Sequence, residues 1–249
     1  MRKFFLLLHR WLAILLGIFI SIMCFTGAIM VFQDEIANYI LGVEYSHDVP
    51  FFQAVRSLHR FLFIAPANPH EGLSVGRIIM GGSAIAMTLI LLSGVVIWWP
   101  KTSRMLKNRL AINFHKGWHR FVYDTHVSLG IYTFAFLLLM SLTGPVFSFK
   151  SYRNAVISML SMQEQPGGEY DIQKKTDRNP NHVDFNHHVG ANPTQFFFMG
   201  LHTGRWGGLI TRIIYFLSAI IGGFLPISGY YMWWKRRHKL KKKVNNENC

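Results

Sequence analysis

The sequence is poor in the residues that build most soluble catalytic sites. Only two of its 249 residues are cysteine, Cys24 inside an apolar run and Cys249 at the last position, so no disulfide framework is available. No Cys-x-x-Cys pair is present, which excludes a thiolate metal knuckle. A Gly-x-Gly-x-x-Gly fingerprint is also missing, and with it a Rossmann-type nucleotide site. Charge is scarce as well. Charged residues make up 15% of the chain against 51% hydrophobic, too thin a polar fraction to solvate an ordinary soluble domain. Acidic residues are scarcest, 12 against 26 Lys and Arg.

What is abundant is long apolar sequence. Runs at about 11–32, 78–99, 127–149 and 209–234 each reach the ~20 residues that cross ~30 Å of hydrocarbon at 1.5 Å per residue. Four spanning helices follow, at about 10–32, 76–99, 120–149 and 208–234. The first run starts after Arg2-Lys3 but ends in Phe25-Thr26-Gly27 without a small-x-small cleavage pattern, so it reads as a retained helix. The net charge of +14 raises nucleic acid as a partner, and its distribution answers that question. The N-terminus, the loop 100–118 and the tail 236–249 share one face, which carries 16 basic residues against Asp124 and Glu247. The other face carries 10 of each sign. By the positive-inside rule both termini are cytoplasmic, and the run Lys235 to Lys243 is expected to touch anionic lipid rather than nucleic acid. Trp98-Trp99-Pro100 and Trp233-Trp234 mark interfacial exits.

Three spacings recur. His9 precedes Thr26-Gly27 by 17 residues, and His126 precedes Thr143-Gly144 by 17. Arg77 precedes Ser93-Gly94 by 16, as Arg212 precedes Ser228-Gly229. Pro50 stands nine residues before the histidine of Leu58-His59, and Pro193 stands nine before the histidine of Leu201-His202. The chain thus reads as one transmembrane domain, 1–249, of two tandem hairpins, 1–100 and 118–235, related by a pseudo-two-fold axis along the membrane normal. Short amphipathic segments at about 51–63 and 193–203 cap the outer face, with Asn192-Pro193 as N-cap and N1 of the second.

Such an axis opposes equivalent residues at equal depth: His9 to His126 inside, His59 to His202 outside. Two neutral imidazoles opposed across a helix bundle are the axial pair that a haem iron takes, and Gly17, Gly27, Gly94, Gly130, Gly144, Gly222, Gly223 and Gly229 leave the room a macrocycle needs. A helix of about 24 residues, or ~36 Å, separates the inner and outer levels. A lone histidine at a helix end is ordinarily an interface residue; four at repeat-equivalent positions point to function. His115 and His119 are alternatives for the inner ligand. His47, His70, His182, His187, His188 and His238 read as solvated, with His182, His187 and His188 as a weak external metal site. Arg77 and Arg212, with Arg60 and Arg205 beside the outer histidines, are candidate partners for haem propionates; Arg10 and Arg120 are the inner counterparts.

His9-Arg10-Trp11, Thr26-Gly27, Leu58-His59-Arg60, Ser93-Gly94 with Trp98-Trp99-Pro100, His126 with Gly130, Thr143-Gly144 and Leu201-His202-Thr203-Gly204-Arg205 together resemble the PepSY-associated transmembrane family. Members include bacterial membrane reductases linked to ferric-siderophore uptake. The resemblance implies haem b, two per chain, the four histidines as ligands, and a multi-pass protein of the inner membrane. It departs outside the membrane, where loops 33–57 and 150–200 are too short for a folded PepSY domain and the second reads as mostly irregular.

The expectation is therefore an all-α membrane protein that passes electrons from a cytoplasmic flavoprotein or quinol to an external ferric chelate or siderophore, a reductase in the sense that the resemblance implies. Two other classes compete. A histidine-lined metal transporter lacks acidic residues in its helix cores, with Asp124 read at the rim. A haem-free regulator of periplasmic proteins lacks a sizeable external domain.

Overall fold

The computed structural model describes residues 1–44, 46–65, 73–160 and 193–247. Eight α-helices longer than one turn lie among them: α1 Arg2–Val31, α2 Pro50–Phe61, α3 Val75–Trp98, α4 Ser103–Leu110, α5 Trp118–Ser148, α6 Lys150–Met159, α7 Pro193–Thr203 and α8 Gly208–Glu247. No strand occurs among the described residues. Helices α1, α3, α5 and most of α8 are long and apolar enough to cross a membrane. They pack as a closed ring in the order α1, α3, α5, α8.

Small residues set how closely the ring closes. A Cβ on Gly17 would lie 3.0 Å from Pro226, and one on Gly223 would lie 2.6 Å from the Phe25 ring. Ser21 donates to the Gly223 carbonyl at 2.9 Å, and Tyr230 donates to Ile14 O at 2.7 Å. As α1 numbers rise, their α8 partners fall, so the two helices are antiparallel. Across the ring Thr88 donates to Ser141 at 3.0 Å, joining α3 to α5. At mid-depth Ile20, Cys24, Met87 and Leu137 form a buried apolar plug with one side chain from α3, one from α5 and two from α1. These contacts suit lipid, where packing and interhelical hydrogen bonds replace the hydrophobic drive between helices.

The outer caps form where expected. Pro50 opens α2 at the position where its missing N–H costs nothing, and Phe52 and Val55 bury its apolar side. The helix ends at Leu62, left-handed at φ 51°, whose amide donates back to Leu58 O while that of Phe63 donates to Ser57 O. Gly76 then seats the start of α3 directly on the Phe61 carbonyl; a Cβ there would lie 1.7 Å from that oxygen. This backbone contact fixes α2, and with it His59 and Arg60, over the bundle.

Several boundaries differ from expectation. Helix α1 starts at Arg2 rather than near 10, and α8 runs to Glu247 rather than stopping near 234. Neither flank contains a proline or glycine, and Lys, Arg and Leu are good helix formers, so each helix continues beyond its apolar stretch. The loop 100–118 contains α4, capped by the Thr102 hydroxyl on Met105 N at 3.2 Å. Residues 150–159, read as irregular, are helical because Ile157 packs with Val146 and Phe198 and anchors α6. Asn192, His70, His182, His187, His188 and the turn signals of 165–181 lie outside the described residues.

Candidate functional site

The inner pair comes from α1 and α5. His9 and His126 face one another with ring centres 6.4 Å apart. The outer pair comes from the caps: His59 on α2 and His202 on α7, with ring centres 6.5 Å apart. A metal ion shared by two facing imidazole nitrogens, each bonded at about 2 Å, would need ring centres a little over about 6 Å apart. Both pairs meet that spacing.

Each imidazole is held by the hydroxyl of a recurring motif. His59 Nδ1 is 2.9 Å from Thr26 Oγ1, and His202 Nδ1 is 2.9 Å from Thr143 Oγ1. His126 Nδ1 is 2.7 Å from Ser228 Oγ. His9 Nδ1 is 3.2 Å from Ser93 Oγ and 2.9 Å from the Ile90 carbonyl. Each hydroxyl proton is already committed to a carbonyl of its own helix: Thr26 to Ile22 at 2.6 Å, Thr143 to Leu139 at 2.7 Å, Ser93 to Ile90 and Ser228 to Leu225 at 2.8 Å. A hydroxyl has one proton, so its oxygen can only accept from the ring. That places the imidazole proton on Nδ1 and leaves a lone pair on Nε2, the tautomer a metal takes. The outer rings also stay uncharged at neutral pH, because burial pushes His59 down to about 3 and His202 to about 4, His59 further by repulsion from His202.

The glycine after each hydroxyl residue clears the ring's edge. A Cβ on Gly27 or Gly94 would lie 3.3 Å from Cε1 of His59 or His9 respectively; on Gly144 and Gly229 the distances are 3.6 and 3.9 Å from His202 and His126. The Thr-Gly and Ser-Gly pairs, met in the sequence only as markers of spacing, are thus the supports of the four histidines. Gly17 and Gly223 serve instead to let α8 approach α1.

Around the inner pair lies a cavity of about 650 Å³, whose lining runs from Ile20, Met87 and Leu137 past His9 and His126 to Arg2, Arg10, Arg109, Lys235 and Arg236, with Gly94, Gly130, Gly222 and Gly229 along it. Two donors on its wall, Arg10 Nε and Trp98 Nε1, are buried without a partner. Arg2 and Arg109 bind the last carbonyls of α3, Ile97 at 2.9 and 3.2 Å. An apolar slot between two imidazoles with unpartnered donors at its charged end fits a haem with its propionates toward that end.

The remaining candidates separate. His119 is exposed, 6.0 Å from the Tyr231 ring, and lines the inner cavity without facing His9; His115 is exposed. Arg212 is bound to Glu35 and to the Val31 carbonyl, and Arg205 to Asp34 at 2.7 Å. Arg60 and Arg77 carry no ion pair among the described residues; they flank the Phe61 ring at 6.0 and 5.4 Å and line an outer cavity. Arg120 is committed to Asp124 at 2.9 Å. Asp124, near the start of α5, is buried, because Asn113 N and Nδ2 and Arg120 together satisfy it and pin the loop after α4. Among the described residues no three His, Cys, Asp or Glu side chains cluster as a metal-ion cage.

The fold and site define a four-helix membrane protein with two levels of opposed imidazoles. The family model for the PepSY-associated TM region matches residues 6–42 and 38–236, and the chain belongs to that family. Comparison with curated proteins gives no match.

Proposed function

We propose that this is a di-haem b-type electron-transfer protein of the bacterial inner membrane, with both termini in the cytoplasm, that delivers electrons from a cytoplasmic flavoprotein or quinol to an external ferric chelate. The observation that carries the reading is the matched pair of imidazole separations, each with Nδ1 engaged and Nε2 left as a lone pair. His9 and His126 would hold the inner haem, His59 and His202 the outer one. When bound, haem supplies reversible one-electron chemistry at iron; the chain supplies ligands, spacing and a dry path.

What the residues do follows from their contacts. The Thr and Ser hydroxyls accept Nδ1–H and keep each ring in the ligating tautomer. Arg10 and Trp98 offer unpartnered donors to carboxylates at the inner face, and Arg60 and Arg77 offer guanidinium groups without an ion pair at the outer one. Arg205 and Arg212 are already neutralised by Asp34 and Glu35. The Ile20, Cys24, Met87 and Leu137 plug excludes water between the two levels. His9 and Gly27 are 18 positions apart on one unbroken helix, about 27 Å along the axis. This is shorter than the ~36 Å reckoned from a full helix, because His59 reaches back to Gly27 instead of lying beyond the helix end.

The test is the visible spectrum of the purified protein with a haem count. The expected result is a low-spin bis-histidine b-type spectrum, about two haems per chain, and haem that extracts into acidified organic solvent. Colourless, folded protein from a haem-replete host refutes the reading, and it is what the transporter and the haem-free regulator predict.

A further inference from the structure

The outer face holds a second cavity, of about 790 Å³, that the ligand pairs do not use. Its lining includes Arg60 and Arg77 and the first turn of α6, with Lys150, Ser151, Tyr152 and Arg153. Among the described residues none of these four cations forms an ion pair, while the neighbouring Asp34 and Glu35 are taken by Arg205 and Arg212. Arg153 Nε is buried with no hydrogen-bond partner. No side chain caps α6, so the amides of its first turn lack intrahelical acceptors and the positive end of its dipole meets the cavity. Tyr152 fastens that turn by donating to Leu142 O at 3.0 Å. The cavity is also one ring from the outer site: Phe147 lines it and lies 5.7 Å from His202.

We propose that this cavity binds a multiply charged oxyanion, and that its occupant is the external electron acceptor, a soluble ferric chelate carrying carboxylates. This rests on the electron-transfer reading and specifies its substrate class. Lys150 and Arg153 bind the chelate's carboxylates, while Arg60 and Arg77, the outer carboxylate partners named above, border the cavity. With haem held by His59 and His202, one electron would be supplied to Fe(III), giving Fe(II), and the cytoplasmic donor is the reductant that balances it. No bond is made and no proton moves. The chelate gains one negative charge, and loss of Fe(II) from it completes the turnover.

The test uses full-length protein in nanodiscs and the double variant K150Q/R153Q. Binding of anionic ferric EDTA, and of a neutral ferric trihydroxamate for comparison, is measured by equilibrium dialysis; reduction kinetics follow on the same samples. The expected result is saturable ferric EDTA binding that weakens steeply with salt, and about a tenfold loss of affinity in the variant, with a tenfold rise in KM for ferric EDTA relative to the trihydroxamate. Haem content and spectrum should match the parent. Equal binding of ferric EDTA by parent and variant overturns the proposal. So does a site filled by lipid phosphate, seen as ferric EDTA binding in phosphatidylcholine discs that vanishes in phosphatidylglycerol discs at matched ionic strength. A changed outer-haem spectrum in the variant also overturns it, by assigning these cations to the haem. Absence of haem from the parent refutes the function proposed above, and the dialysis result still decides the anion site.

Discussion

Replacing Thr143 by valine tests the tautomer argument at one atom. The side chain is buried and nearly isosteric with valine, so the packing around it survives while the hydroxyl is lost. His202 Nδ1–H then loses its acceptor at 2.9 Å, and the Leu139 carbonyl loses its donor at 2.7 Å. Leaving a buried donor unsatisfied costs about 1–3 kcal/mol, and loss of a partner behind a metal-bound histidine typically lowers metal affinity 10–100-fold. The Met140 carbonyl lies beside the same ring. It takes part of the load, so about tenfold is expected. The assay is the rate of haem transfer from purified protein to excess apomyoglobin, followed spectrally. One of the two haems should leave about ten times faster and the other at the parental rate. Removing the acceptor also makes the imidazole a poorer electron donor to iron, so the potential of the same haem should rise. T143S should restore both properties. Two haems leaving at parental rates from T143V, with unchanged potentials, would refute the claim that the hydroxyl supports a ligand.

The remaining predictions address other contacts. H9A and H126A should each remove the inner haem, and H59A and H202A the outer, read from reduced-minus-oxidised spectra; loss of the inner haem from H119A with H126A intact would assign the inner ligand to His119. G94A should perturb the inner haem because a Cβ would crowd His9 at 3.3 Å, whereas G229A, at an ordinary 3.9 Å from His126, should leave the spectrum unchanged and gain up to about 1 kcal/mol of helix propensity. Arg212 holds the Glu35 carboxyl below its usual range, so the pair's stabilisation is present above the ordinary glutamate pKa and is lost as pH falls through the lowered one. The thermal midpoint in detergent should therefore fall more steeply on acidification below about pH 4.5 for the parent than for E35Q. A reporter fused after Cys249 should be active only in its cytoplasmic form.

What the sequence reveals and what it hides divide along physical lines. The four spans are legible because length and apolarity are sufficient signals for bilayer crossing. The pairing of His9 with His126 and of His59 with His202 is legible because residues at equivalent spacings fall at matching depths in the bundle. The hydroxyl supports are half-legible: Thr26, Ser93, Thr143 and Ser228 are visible as spacing marks, but their role needs the distance to a ring on another helix. The fate of the arginines is not legible. Arg212 and Arg77 occupy matching positions in sequence, yet Arg212 has Glu35 against it and Arg77 has no acid against it among the described residues, a difference set by how the turn after α1 folds. The burial of Asp124 is not legible either, because a single acid near a helix end carries no sequence mark of the Asn113 and Arg120 contacts that bury it.

That difference between matching positions gives the outer face its polarity. A bundle with two similar halves has no intrinsic reason to bind an acceptor on one side of its axis. Here Asp34 and Glu35, on the short turn that follows α1, neutralise Arg205 and Arg212 beside α8. The stretch after α5 does the opposite, because α6 brings Lys150 and Arg153 to the cavity that Arg60 and Arg77 also line. One flank of the outer imidazole pair is therefore charge-paired and the other is cationic. Under the proposal above, an anion would be drawn to the second flank, where the Phe147 ring lies 5.7 Å from that of His202. The connecting segments thus break a symmetry that the histidine pairs keep, and they do so at the end of the bundle that carries His59 and His202.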